Sequence, residues 1–179
     1  MPAAVNSVFD IAFWLSDRAL NDNEYLQPLK LQYLLYLSQS YFGVLYNGKK
    51  LFPAMFIAEE VGPIEPSTYR AWARGRPTFD NDIGFNEDVK VFVDSVWRRF
   101  GHHSVEYLSK LCRRTPAYQV ARERGNRAEI SLEHMIVDFT RAIDTPDVKL
   151  VVKPKIIRSQ TGKTVEVKAW DPRRSGKKT

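Results

Sequence analysis

Three histidines, a single cysteine and a small group of glutamates are the side chains whose types would allow metal or acid–base chemistry. His102 and His103 are adjacent, so on a helix or strand they point in different directions. No cysteine sits at zinc-ligand spacing from His102, His103 or His134. Cys112 follows Leu108 and Leu111 at helical spacing, the setting of a small buried hydrophobe. Arg113 and Arg114 beside it are the kind of neighbours that lower a thiol pKa, but no base is spaced to activate the sulfur. Glu59, Glu60 and Glu65 lie close to Gly62-Pro63. Catalytic carboxylates need burial and a defined partner, and charged side chains are rarely buried, so these three read as solvated charge. Thr161-Gly162-Lys163-Thr164 has the end of a phosphate-binding loop, but Ile157 stands where that motif needs its first glycine. The expectation is a protein that is not an enzyme, with no metal and no cofactor.

The remaining chemistry is electrostatic. The chain of 179 residues has a net charge of +6, unevenly distributed. From Lys149 to Thr179 there are ten Lys/Arg and two acids, giving +8, so the preceding residues hold seventeen against nineteen, giving −2. Such asymmetry suggests a segment with its own partner. Nucleic acid is one candidate for it, through phosphate contacts by Lys149, Lys153, Lys155, Arg158, Arg173 and Arg174. The body shows no reading helix, zinc finger or aromatic RNA motif. One cysteine excludes an internal disulfide, no apolar run is long enough to span a membrane, and residues 1–10 lack a basic leader, so a cytoplasmic location is expected.

The elements that must position these groups are mostly helices. Val8, Ile11, Ala12, Leu15 and Ala19 recur at helical spacing, and Asn21-Asp22-Asn23 stops that run. Pro28 opens a long helix with Leu31, Leu34, Leu35, Phe42 and Leu45 as its buried stripe, closed by Asn47-Gly48. Residues 54–58 are a short apolar stretch, either strand or irregular, before a Gly62-Pro63 turn. Pro66 begins a helix through Trp72. Asn86, Ser104, Thr115-Pro116 and Ser131 open four further helices, the last with Leu132, Ile136, Phe139 and Ile143 inward. After Pro146 the period becomes two, and residues 148–170 read as a β-hairpin turning at 160–163, with Pro154 weakening its first strand. The fold class is therefore mainly α: a compact multi-helix domain over 1–147 with a short β-element, a C-terminal β-hairpin at 148–170 and a basic tail at 171–179.

Three motifs within the body carry a family resemblance. Pro28-Leu29-Lys30-Leu31-Gln32-Tyr33-Leu34-Leu35-Tyr36-Leu37-Ser38-Gln39, then Leu51-Phe52, then Glu60-Val61-Gly62-Pro63-Ile64-Glu65-Pro66 with Tyr69 resemble, in order and spacing, the Panacea antitoxin domain. The likeness covers about residues 8–143. The family usually has lysine where Tyr33 stands, and the His and Trp of a later motif have no counterpart in Leu108–Arg113 and Pro116-Ala117-Tyr118. The resemblance implies an antitoxin that binds a cognate toxin. Its SocA-type members are proteolytic adaptors that present the toxin to the ClpX unfoldase of the ClpXP protease. On this reading Gly62, Pro63, Glu65, Tyr69 and Trp72 are candidates for partner contact, and the six basic residues of the C-terminal segment are candidates for a second contact.

Overall fold

The computed structural model describes residues 2–78, 84–142 and 145–152, together with strands at 156–158 and 164–166. Among these the chain forms eight helices and a small antiparallel sheet. Helix α1 (Val8–Asn21) is followed by α2 (Pro28–Leu45), strands β1 (Phe56–Glu59) and β2 (Gly62–Ile64), and α3 (Pro66–Trp72). Then come α4 (Glu87–Phe100), α5 (Val105–Arg113), α6 (Pro116–Arg124), β3 (Glu129–Ile130), α7 (Leu132–Arg141), α8 (Val148–Val151), β4 (Ile156–Arg158) and β5 (Thr164–Glu166). None of the described helices is long and apolar enough to cross a membrane.

Helix α2 is the axis of the fold. Every residue from Leu31 to Gly43 is buried, so it has no solvent face. Helices α1, α3, α4, α5, α7 and α8 and strand β2 all pack on it. A helix buried all round must satisfy its polar side chains internally. Ser38 and Ser40 donate to the carbonyls of Leu34 and Tyr36, and Tyr36 shares a hydrogen bond with Thr115. Tyr41 stacks on Phe100, meets Phe139 edge-on and donates to the carbonyl of Pro146. Gly43 lets α7 approach: a Cβ there would lie 2.6 Å from Ile136 Cγ1.

The sheet runs β2-β1-β3, with Ile57 opposite Ile64 and Phe56 opposite Ile130. Pro63 is tolerated because β2 is an edge strand, where no ladder N–H is demanded on the free side. The apolar stretch at 54–58 is thus mainly strand. The turn falls at Glu60-Val61, while Gly62 and Pro63 already belong to β2, because pairing of Glu59 with Gly62 closes the hairpin one step earlier than the Gly-Pro dipeptide suggests.

The N-terminal signals worked as local chemistry requires. Ser7, Asn86 and Ser104 accept hydrogen bonds from backbone N–H groups of α1, α4 and α5. Ser131 precedes α7 without such a bond. Leu45, expected within the stripe, is 40% exposed as the last residue of α2. Residues 148–151 are not the first strand of a hairpin. They form one helical turn capped by Asp147, and Val151 is buried in the core against α2 and α4. The hairpin itself is β4 with β5, Ile157 opposite Val165. Ile143, the turn at 160–163, Pro154 and the tail at 171–179 lie outside the described residues.

Candidate partner-binding surface

The three motif segments converge around α2 through a set of buried side-chain-to-backbone hydrogen bonds. Gln39 Oε1 accepts from the N–H groups of Leu51 and Phe52 at 3.0 and 3.3 Å, and its Nε2 donates to the Phe52 carbonyl at 3.1 Å. One turn of sequence with no regular structure is thereby pinned to the helix. Two turns earlier, Gln32 Oε1 accepts from the Glu65 N–H at 2.8 Å, while its Nε2 donates to Thr68 Oγ1 at 3.1 Å. Glu65 in turn caps α3, accepting from the N–H groups of Ser67 and Thr68 and from the Thr68 hydroxyl at 2.7 Å. Tyr33 donates to the Val61 carbonyl at the β1–β2 turn.

This geometry relocates most of the residues expected to touch a partner. Glu65 is only 4% exposed, so it is a buried cap and not solvated charge; its carboxylate is matched by three donors at a helix N-terminus. Trp72 is 1% exposed, with its ring 4.9 Å from that of Phe13 and its Nε1 donating to Ser16. Gly62 and Pro63 are buried. Of the five candidates only Tyr69 reaches solvent, together with Val61 at the neighbouring turn. The motif therefore shapes a surface more than it forms one. Among the basic candidates Lys149 is exposed on α8, Arg158 lies in β4, and Lys153, Lys155, Arg173 and Arg174 fall outside the described residues.

The surface that the motif shapes lies where α5 and α6 clasp the β1–β2 turn. Tyr118 donates to the Glu59 carbonyl at 2.6 Å, Ser109 to the Val61 carbonyl at 3.2 Å, and Arg122 to the Ala58 carbonyl at 3.3 Å. Arg127 pairs with Glu59 at 3.2 Å. Outside this clasp α5 and α6 diverge into an open groove of about 660 Å³. Ser109, Lys110, Arg113, Arg114, Tyr118 and Arg122 line it. Glu106 stands at one end, its carboxyl held below the ordinary range by its own backbone amide and by Ser104. The sequence placed Arg113 and Arg114 only as neighbours of Cys112; the 3.6-residue period that puts Lys110 beside them was the available signal.

The reactive groups are sealed away from this groove. Cys112 is fully buried beneath α5, and burial pushes its thiol far above the ordinary range, so it remains protonated. Burial likewise raises Tyr36 and Tyr41. His102 is not isolated as its sequence neighbours suggested: its Nδ1 lies 2.7 Å from Glu24 Oε1 and its Nε2 3.9 Å from Asp22 Oδ2. Those carboxylates are some eighty positions away in sequence, at the end of α1, and pair also with Lys30, Arg18 and the Trp97 indole. The cluster ties the α1–α2 loop to the end of α4.

No family model, curated protein or solved structure matches this chain.

Proposed function

We propose that this chain is an antitoxin that neutralises a cognate toxin by direct binding, acting as a proteolytic adaptor that delivers the toxin to the ClpX unfoldase of the ClpXP protease. The observation that carries the reading is the convergence of the motif segments. Gln39 of the first motif is bound to Leu51 and Phe52 of the second, and Gln32 of the first to Glu65 of the third, with Gly62 buried in β2.

The character of the surface also favours binding over catalysis. The thiol and the two tyrosines with the largest upward shifts are buried, and the carboxylate of Glu65 is consumed as a helix cap. What α5, α6 and the β1–β2 turn present to solvent is an open groove together with exposed Val61 and Tyr107. Exposed aromatic and arginine side chains are common anchors of protein interfaces.

The test is co-expression of the chain with the small protein encoded beside it. Growth should be restored, the two proteins should co-purify, and the half-life of the partner should shorten only where ClpX is present. Restored growth with an unchanged half-life would remove the adaptor step and leave neutralisation by occlusion. A neighbouring protein that is neither toxic nor bound would overturn the reading.

A further inference from the structure

We infer that the groove between α5 and α6 is the docking site for an acidic, extended peptide segment of a partner protein. This rests on the reading of the chain as a protein-binding module, and names the face used and the chemistry it recognises.

Four cations line the groove, Lys110, Arg113 and Arg114 from α5 and Arg122 from α6. Elsewhere Arg18, Lys30, Arg76, Lys90, Arg98 and Arg127 each meet a carboxylate, while other exposed cations such as Arg70, Arg74 and Arg99 meet none among the described residues; the groove is set apart by having four cations on one surface. The groove cations meet none among the described residues. The only carboxylate in the lining, that of Glu106, is turned to its own amide and Ser104 at the start of α5. Like charges crowded within one helical turn repel, so an interior role does not account for their placement. Lys110, Arg113 and Arg114 are exposed, while Ser109, Tyr118 and Arg122 are anchored to the backbone of β1 and of the turn. The floor of the groove, Arg122 included, is therefore fixed, while Lys110, Arg113 and Arg114 extend from it into solvent.

Size and charge select the occupant. Helix α5 has nine residues, a length of about 13 Å at 1.5 Å per residue. That is the span of about four residues of extended chain at roughly 3.3 Å each. Guanidinium groups bind carboxylates through paired N–H donors, which gives an acidic peptide both charge and directional contacts. A polyanion such as nucleic acid responds to the field of the whole surface, and the chain's net +6 comes from residues 149–179, with residues 1–148 at −2, so a polyanion is drawn to that segment more than to the groove. A short acidic segment responds mainly to charges within about 8 Å at physiological salt, and four of the five charged side chains lining the groove are cations.

The experiment uses the full chain and fluorescence anisotropy with three probes: an octapeptide carrying four glutamates, the same peptide with four glutamines, and a single-stranded DNA 20-mer. The glutamate peptide should bind, and more weakly as salt is raised. The glutamine peptide should bind at least about tenfold more weakly, or about 1.4 kcal/mol. An Arg113→Ala/Arg114→Ala variant, altered only at exposed positions, should lose a similar factor for the glutamate peptide while its circular dichroism stays unchanged. Equal binding of that peptide by variant and parent, or no binding by the parent, overturns the proposal. So does DNA binding that is tighter than peptide binding and is lost in the variant, which would make the groove a nucleic-acid site. The toxin assay separates the two readings. Full toxin capture by the variant would overturn the groove as the partner's dock and leave the antitoxin reading intact. Groove-dependent peptide binding without any neutralisation would support the groove and remove the antitoxin reading.

Discussion

Replacing Gly62 with alanine tests whether the motif glycine is a structural requirement of the clasp. Gly62 has φ of +136°, a conformation that L side chains rarely adopt. Holding alanine there costs about 1–3 kcal/mol. A Cβ would also lie 2.7 Å from Cε1 of Tyr33. That ring is fully buried and its hydroxyl is tied to the Val61 carbonyl, so it cannot swing aside. Overpacking of this kind adds roughly 1–3 kcal/mol. Together the terms reach about 2–6 kcal/mol, a large part of the roughly 5–15 kcal/mol that stabilises a domain. Urea unfolding followed by circular dichroism should show a lower midpoint with little change in slope. The two causes separate in a Tyr33→Leu background, where the ring is gone and only the backbone cost remains. Gly62→Ala should then be milder by at least about 1 kcal/mol, a coupling well above the usual error of additivity. A cost below about 0.5 kcal/mol, or the same cost in both backgrounds, would refute the argument.

Gln39→Leu should lower stability by about 2–4 kcal/mol in the same assay, since it strands two buried N–H groups and a carbonyl of residues 51–52. Asp22 provides a pH test. The Trp97 indole N–H at 2.8 Å, assisted by Arg18, holds its carboxyl below the ordinary range. The unfolded chain therefore takes up the proton first, so this contribution is present above about pH 4 and fades as pH falls further; thermal melts of Asp22→Asn should lose stability less steeply on acidification than the parent. Truncation after Val152, which keeps Val151 in the core, should leave toxin binding nearly unchanged but abolish accelerated degradation; full degradation activity in a folded truncation would place both contacts on the body.

The helical architecture was legible because each helix announces itself locally. Pro28, Pro66 and Pro116 stand at helix starts, Asn86 and Ser104 cap, and the apolar spacing of α1 and α4 defines one buried face. The interior role of Glu65 was not legible. Pro66 places it before a helix start, but nothing adjacent marks it as buried; its backbone amide donates to Gln32, thirty-three positions earlier, inside the core. Trp72 and His102 were obscured in the same way, their partners Phe13, Ser16, Asp22 and Glu24 lying on α1 and the loop after it. Residues 148–151 misled for a different reason. Val148, Leu150 and Val151 suit a strand by composition, but four residues are too few to separate a period of two from one of 3.6. Tertiary packing of Val151 on α2 and α4 made the choice.

Charge behaves likewise, and this bears on how a partner is engaged. Summed along the chain, the body is slightly acidic and the basic excess belongs to residues 149–179. Summed in space, α5 and α6 gather four cations while many of the acids that balance them are spent elsewhere: Asp22 and Asp94 on Arg18, Glu24 on Lys30, Asp17 on Arg76 and Glu59 on Arg127. A carboxylate already paired contributes little field at a distance, so the groove keeps its local potential despite the net sum. The chain thus carries two cationic regions of different kinds. One is held on a rigid clasp of hydrogen bonds to β1 and its turn, where position selects a ligand. The other is a segment distinguished by charge number alone, suited to speeding encounter with an acidic surface. Neutralising groove residues should therefore raise the dissociation rate of the groove's partner, whereas neutralising Lys149 and the basic residues after it should slow association with the second partner and flatten its salt dependence. Stopped-flow mixing at two salt concentrations reads both rates, and a groove variant that alters only association would show that the clasp selects nothing.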